Sequence, residues 1–85
     1  MNASTPTQVD TQVLAILAQL TTVPLTDIRR EDRLRADLGL DSVASMELLG
    51  MLADTFDIEV PLEETLAVQS VQEVLDLTNR YIARA

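Results

Sequence analysis

Apolar residues recur at helical spacing along most of the chain. Val9, Val13, Ile16, Leu17 and Leu20 fall at i, i+4, i+7, i+8 and i+11, one stripe of a first amphipathic helix. That helix should stop before Val23–Pro24, because a residue preceding proline is pushed out of the α region. The next segment holds Leu25, Ile28, Leu34 and Leu38 at irregular intervals. Such spacing predicts a long connection pinned to the core by scattered apolar anchors. A second helix is expected from Asp41–Ser42 to about Asp57, where the pattern dissolves into IEVP, and Pro61 then opens a short helical turn through LEETL. Ser70 and Glu73 form an S-x-x-E capping box for a last helix, whose inward stripe is Val71, Val74, Leu75, Thr78, Tyr81 and Ile82. Strand signals and internal repeats are absent. The expected fold is all-α: a small four-helix bundle of three main helices and one short one.

The size of the chain limits what such a bundle can do. Its 85 residues make one small domain, able to bury about 60% of the surface its unfolded chain exposes and leaving little room for a separate cleft. The chain has neither cysteine nor histidine, which excludes disulfides and thiolate metal sites and removes the main zinc and haem ligands and the usual proton shuttle. A nucleophilic serine needs a base within hydrogen-bond reach, and lysine is missing as well. The chain is therefore expected not to be an enzyme, and any chemistry must be borrowed. No apolar run approaches the roughly 20 residues that span a bilayer, and the N-terminus lacks the basic region of a signal peptide. A cytoplasmic protein without membrane insertion is expected.

Charge is lopsided. Fourteen acids against six bases give a net charge of −8, and every base is arginine. Arg29, Arg30, Arg33 and Arg35 cluster before the second helix, Arg80 and Arg84 close the chain, and residues 36–79 hold ten acids and no base. Nucleic acid is not an expected partner. An acidic face serves solubility or steers basic partners. Within the arginine cluster, the interspersed Asp27, Glu31 and Asp32 suggest local neutralisation.

The stretch D-L-G-L-D-S-V at 37–43, M-E-L-L at 46–49, F-D-I-E-V-P at 56–61 and S-V-Q-E-V at 70–74 together closely resemble the acyl carrier protein family. The resemblance covers about residues 8–84, which would make residues 1–7 a flexible N-terminus and 8–84 a phosphopantetheine-binding carrier domain of the acyl-carrier-protein type. It implies that Ser42 receives 4'-phosphopantetheine covalently from a phosphopantetheinyl transferase, the thiol of the arm then holding cargo as a thioester. An isolated Asp-Ser would by default be a helix cap. Capping and attachment are compatible if Asp41 caps while Ser42 points outward, and a helix N-terminus favours a phosphodiester.

Projected at about 100° per residue, the second helix places Ala44, Leu48, Leu49, Leu52 and Phe56 on one side and Val43, Met46, Glu47, Gly50, Ala53, Asp54 and Asp57 on the other. The resemblance implies that Asp41, Val43, Met46, Glu47 and Asp54 dock on basic patches of loading ligases or transferases and of downstream synthase enzymes. Gly50, about 1 kcal/mol worse than alanine in mid-helix, is either slack or a point of close approach, with slack favoured. Leu62 and Leu66 in the short helix are either packing or an apolar patch for a partner. With Leu40 and the arginine cluster they hint at a dedicated carrier of a specialised pathway. The scarcity of aromatics suggests an aliphatic core that could open a slot for an acyl chain.

Three functions stay open on the residues: a discrete, monomeric carrier of acyl groups for fatty-acid, polyketide or related biosynthesis; a carrier of an activated amino acid; and an acidic helical adaptor without a prosthetic group.

Overall fold

The computed structural model describes residues 5–84. Helix α1 spans Thr5–Leu20, α2 Ser42–Phe56, α3 Leu62–Ala67 and α4 Val71–Arg84, with a single 3-10 turn at Leu25–Asp27. The expected three long helices and one short helix are all present. Of the expected N-terminal segment, residues 1–4 lie outside the described residues. None of the described helices is long and apolar enough to cross a membrane.

The α1 stripe is the core side: Val13, Ile16 and Leu17 are buried, with Val9 and Leu20 packed against the same cluster. After the helix, the Thr21 hydroxyl donates to the Leu38 carbonyl at 2.6 Å, tying the exit of α1 to the far end of the long connection. That connection is pinned by Ile28, Leu34 and Leu38, as the spacing predicts, and also by Leu40, only 3% exposed. Leu25 is not an anchor. It opens the 3-10 turn and is 44% exposed, because a single turn ending at Asp27 carries the chain inward only at Ile28.

Backbone pairing holds the connection against the junction of α3 and α4. Leu34 N–H donates to Gln69 O at 2.9 Å, Val71 N–H to Asp32 O at 3.0 Å and Gln72 N–H to Arg30 O at 2.8 Å, around an isolated antiparallel bridge between Arg33 and Ser70. These bonds pair loop backbone groups with the α3–α4 junction without forming a strand.

In α2, Leu48 and Leu52 are buried, and Leu49, Phe56 and Ala44 are half-buried. Two details depart from the projection. Ala53 is half-buried rather than outward, and Met51 packs on the core, a spread that follows from α2 contacting both α1 and α3. The helix ends on Asp57 in the left-handed region at φ 55°. The turn drives Ile58 and Val60 into a second cluster with Leu77, against Leu49, Phe56, Val68, Tyr81 and Ile82. Leu77 therefore widens the buried face of α4 beyond the expected stripe, within which Tyr81 and Ile82 are half-buried. The interior is aliphatic apart from two buried threonines. Thr78 satisfies its hydroxyl on the Val74 carbonyl at 2.8 Å, and Thr65 reaches toward the Pro61 carbonyl at 3.4 Å.

Candidate functional site

The start of α2 is organised by Asp41. Its backbone is extended and its carboxylate accepts the Ala44 N–H at 2.9 Å, while its carbonyl accepts the Ser45 N–H at 2.9 Å as the first helical bond. Asp41 is thus a complete N-cap. Ser42, the first helical residue, is exposed, and its hydroxyl takes no part in the cap. The turn into this position uses Gly39 at φ 72°, a left-handed conformation that glycine adopts without strain. Leu38 and Leu40, both buried on either side of it, fix the loop that presents Asp41 and Ser42.

The side chain nearest the serine comes from the arginine cluster. Arg35 Nη2 lies 3.5 Å from Ser42 Oγ, longer than a strong hydrogen bond but within the reach of a guanidinium fork. Local neutralisation of the cluster, expected from the interspersed acids, does not hold at contact distance. The Asp32 carboxylate accepts the backbone N–H of Arg29 at 2.9 Å, and that of Asp37 accepts the backbone N–H of Arg33 at 2.7 Å. These acids shape the loop instead of meeting its guanidinium groups. Arg30 pairs with Asp10 of α1 at 2.7 Å. Among the described residues, Arg29, Arg33 and Arg35 form no salt bridge.

A groove of about 480 Å³ opens beside Ser42, between the arginine loop, the first turns of α2 and α3. Arg33 and Arg35 line it with Ser45, Leu40, Leu66 and Val68, an apolar floor rimmed by cationic and hydroxyl groups. The arginines at 33 and 35 are plain in the sequence, but their convergence on the serine is not, since residues 33–41 form turns and loop rather than a helix and no periodicity places position 35 relative to 42.

Of the residues projected onto the outer face of α2, all but Ala53 are exposed. Asp41, Glu47 and Asp54 are exposed, and Val43 and Met46 are 61% and 48% exposed despite being apolar. None of Val43, Met46, Glu47 or Asp54 lines the groove. The environment of Ser42 is thus two-sided, acidic with two apolar side chains toward the outer face and cationic toward the groove. On α3, Leu62 and Leu66 are 41% and 48% exposed, so the packing role considered for them is not the one they have. Gly50 is exposed, and a Cβ placed on it meets nothing within 4 Å.

The short helix α3 is held to α4 by a polar cluster. Tyr81 donates its phenolic proton to Glu64 Oε2 at 2.6 Å, and Arg80 reaches Glu64 Oε1 at 3.1 Å. The bond to Glu64 raises the Tyr81 pKa, with burial and the Glu64 charge adding to it and Arg84, 4.9 Å from the ring centroid, opposing it. No cluster of acids suited to a metal ion occurs among the described residues.

The phosphopantetheine attachment site family matches residues 11–78. Acyl carrier protein 3 of Ralstonia nicotianae (strain ATCC BAA-1114 / GMI1000) is 38% identical over 72 residues, covering 85% of this chain and 82% of that protein. Among solved structures, the apo doublet acyl carrier protein from prodigiosin biosynthesis superposes with a TM-score of 0.74 at 27% identity, over 93% of this chain. This chain spans 39% of the doublet's length. Hexanoyl acyl carrier protein from the actinorhodin polyketide synthase of Streptomyces coelicolor gives a TM-score of 0.71 at 25% identity, over 86% of this chain and 88% of that one.

Proposed function

Because the chain belongs to the acyl carrier protein family, whose members carry phosphopantetheine, we propose that Ser42 is the residue that bears the arm. The single observation behind this assignment is the division of labour at the mouth of α2, where Asp41 supplies the cap and the neighbouring serine is left exposed. In the loading step the Ser42 hydroxyl would lose its proton and form a phosphodiester with the phosphopantetheine half of coenzyme A, whose nucleotide half departs. The arm supplies the thiol that a chain without cysteine lacks. The residues present suit the group: an exposed hydroxyl in a first helical turn, a guanidinium 3.5 Å away and an adjoining groove.

The cargo proposed is acyl, held as a thioester for polyketide or related specialised biosynthesis. Support comes from the similar proteins of the prodigiosin and actinorhodin systems, the latter solved with a hexanoyl group. Acyl carrier proteins are carriers rather than catalysts, used by phosphopantetheinyl transferases and biosynthetic enzymes. For this chain, the proposed contact with those enzymes is the outer face of α2: Asp41, Glu47 and Asp54 for charge, Val43 and Met46 for the desolvated centre.

Intact mass tests the assignment directly. Wild-type protein incubated with coenzyme A and a broad-specificity transferase should gain one phosphopantetheine, and Ser42→Ala none. A mass gain on the variant would move the attachment elsewhere.

A further inference from the structure

The arginines before Ser42 have no role in the attachment reading as such, yet two of them face the groove beside it. Arg35 directs Nη2 at the serine hydroxyl from 3.5 Å, Arg33 lines the same groove, and neither forms a salt bridge among the described residues. In a chain of net charge −8, with acids at 31, 32 and 37 around them, two guanidinium groups without a carboxylate partner mark a place for an anion from elsewhere. Two of the neighbouring acids are already engaged with the loop backbone: Asp32 with Arg29 N–H, Asp37 with Arg33 N–H. The loop geometry thus holds these two carboxylates on the backbone, away from the arginine heads.

Resting on the assignment of Ser42, we propose that Arg35, assisted by Arg33, holds the phosphodiester of the prosthetic arm and sends the arm into the groove over Leu40, Leu66 and Val68. A phosphodiester on Ser42 is covalently tethered beside Arg35, so the pairing needs no encounter, and a guanidinium fork matches phosphate oxygens in shape as well as charge. The groove starts at the same residue: Ser42 and Ser45 form one wall of it, and its volume of about 480 Å³ falls in the range of small-molecule sites. Leu66, half-exposed on α3, gives the thiol-bearing end an apolar surface. Val43, Met46 and Glu47 lie outside the groove. Arm and partner therefore occupy different sides of α2, and the arm can rest without covering the docking face.

Three proteins test this: wild type, Arg35→Gln and Arg35→Lys, each isotope-labelled and converted with coenzyme A and a transferase. Intact mass first establishes loading, so that a failure of the attachment assignment is seen at this stage, before any spectrum is compared. Backbone amide spectra of the unloaded and loaded forms then locate the arm. In wild type, loading should shift Arg35, Ser45, Leu66 and Val68 as well as the immediate neighbours of Ser42. Arg35→Gln should keep the neighbouring shifts and lose those at Leu66 and Val68, and Arg35→Lys, which keeps the charge but not the fork, should keep part of them. In wild type itself, about 1 M salt, where the Debye length is about 3 Å, should withdraw the distal shifts and spare the proximal ones. Shifts confined to residues 41–44 in loaded wild type, or distal shifts of equal size in Arg35→Gln, would overturn the proposal.

Discussion

Asp41 accepts the backbone N–H of Ala44 at 2.9 Å, and the serine that follows it is thereby released from any structural duty. The two residues should respond oppositely to truncation. Ser42→Ala should leave the thermal midpoint essentially unchanged while abolishing loading. Asp41→Ala should destabilise the fold by about 1 kcal/mol, a fall in midpoint of roughly 4–8 °C for a domain of this size. Thermal unfolding followed by circular dichroism checks both. A large fall for Ser42→Ala would mean that the hydroxyl, and not the neighbouring carboxylate, closes the helix.

Gly50 sits in the middle of α2 with open space where its side chain would be. Gly50→Ala should stabilise the protein by about 1 kcal/mol, since alanine restricts the unfolded chain and meets no atom in the folded one. The same change at Gly39, whose φ is 72°, should destabilise, because a Cβ is strained in that conformation. Opposite signs in a pair of denaturation curves are the expected result. A destabilising Gly50→Ala would show that α2 needs the slack.

Tyr81 is the chain's single tyrosine, so its titration can be followed by tyrosinate absorbance without overlap. Its pKa is raised, chiefly by the hydrogen bond to Glu64, above the usual value of about 10. Between the unfolded and the folded pKa the native state binds more protons than the unfolded one, so stability falls as pH rises through that window and is fully present below it. The contact ties α3 to α4, and α3 should loosen first. Tyr81→Phe should remove this alkaline loss and lower stability at neutral pH. A tyrosinate transition at or below the value of an unfolded peptide would contradict the bond.

Much of this arrangement was legible in residue spacing, and what escaped has a common cause. The helices declare themselves because burial repeats with the helical period, as Val13, Ile16 and Leu17 or Leu48 and Leu52 do. Leu40, Ile58 and Val60 are also buried but lie in loops, where burial follows from the path of the chain. Leu25 failed in the other direction, apolar but half-exposed on a single turn. The capping box at Ser70 was readable, although the Glu73 carboxylate reaches back to Gln69 N–H at 2.8 Å, one residue beyond the expected cap. The bridge between Arg33 and Ser70 beside it is a pairing between distant segments with no local signature. The same holds for Arg35 and Ser42. Their types are plain in the sequence, but their meeting depends on the loop folding back over the α3–α4 junction.

The outer face of α2 makes the last separable forecast. Glu47 and Asp54 are exposed and, among the described residues, in no ion pair, so their field acts on an approaching protein at distances up to the Debye length, about 10 Å at 0.1 M salt. Val43 and Met46 present apolar surface between these carboxylates and Ser42. Charge of this kind governs encounter, and desolvated apolar contact governs how long the complex lasts. Glu47→Lys should therefore slow association with a transferase or loading ligase and flatten its salt dependence, whereas Met46→Ala should mainly speed dissociation. Neither change should lower the unfolding midpoint appreciably, since both side chains are exposed. Stopped-flow kinetics at low and high salt separate the two effects. If both variants match wild type at low salt, this face is only solvated, and partners must read the loop before Asp41 or the exposed Leu62 and Leu66 of α3.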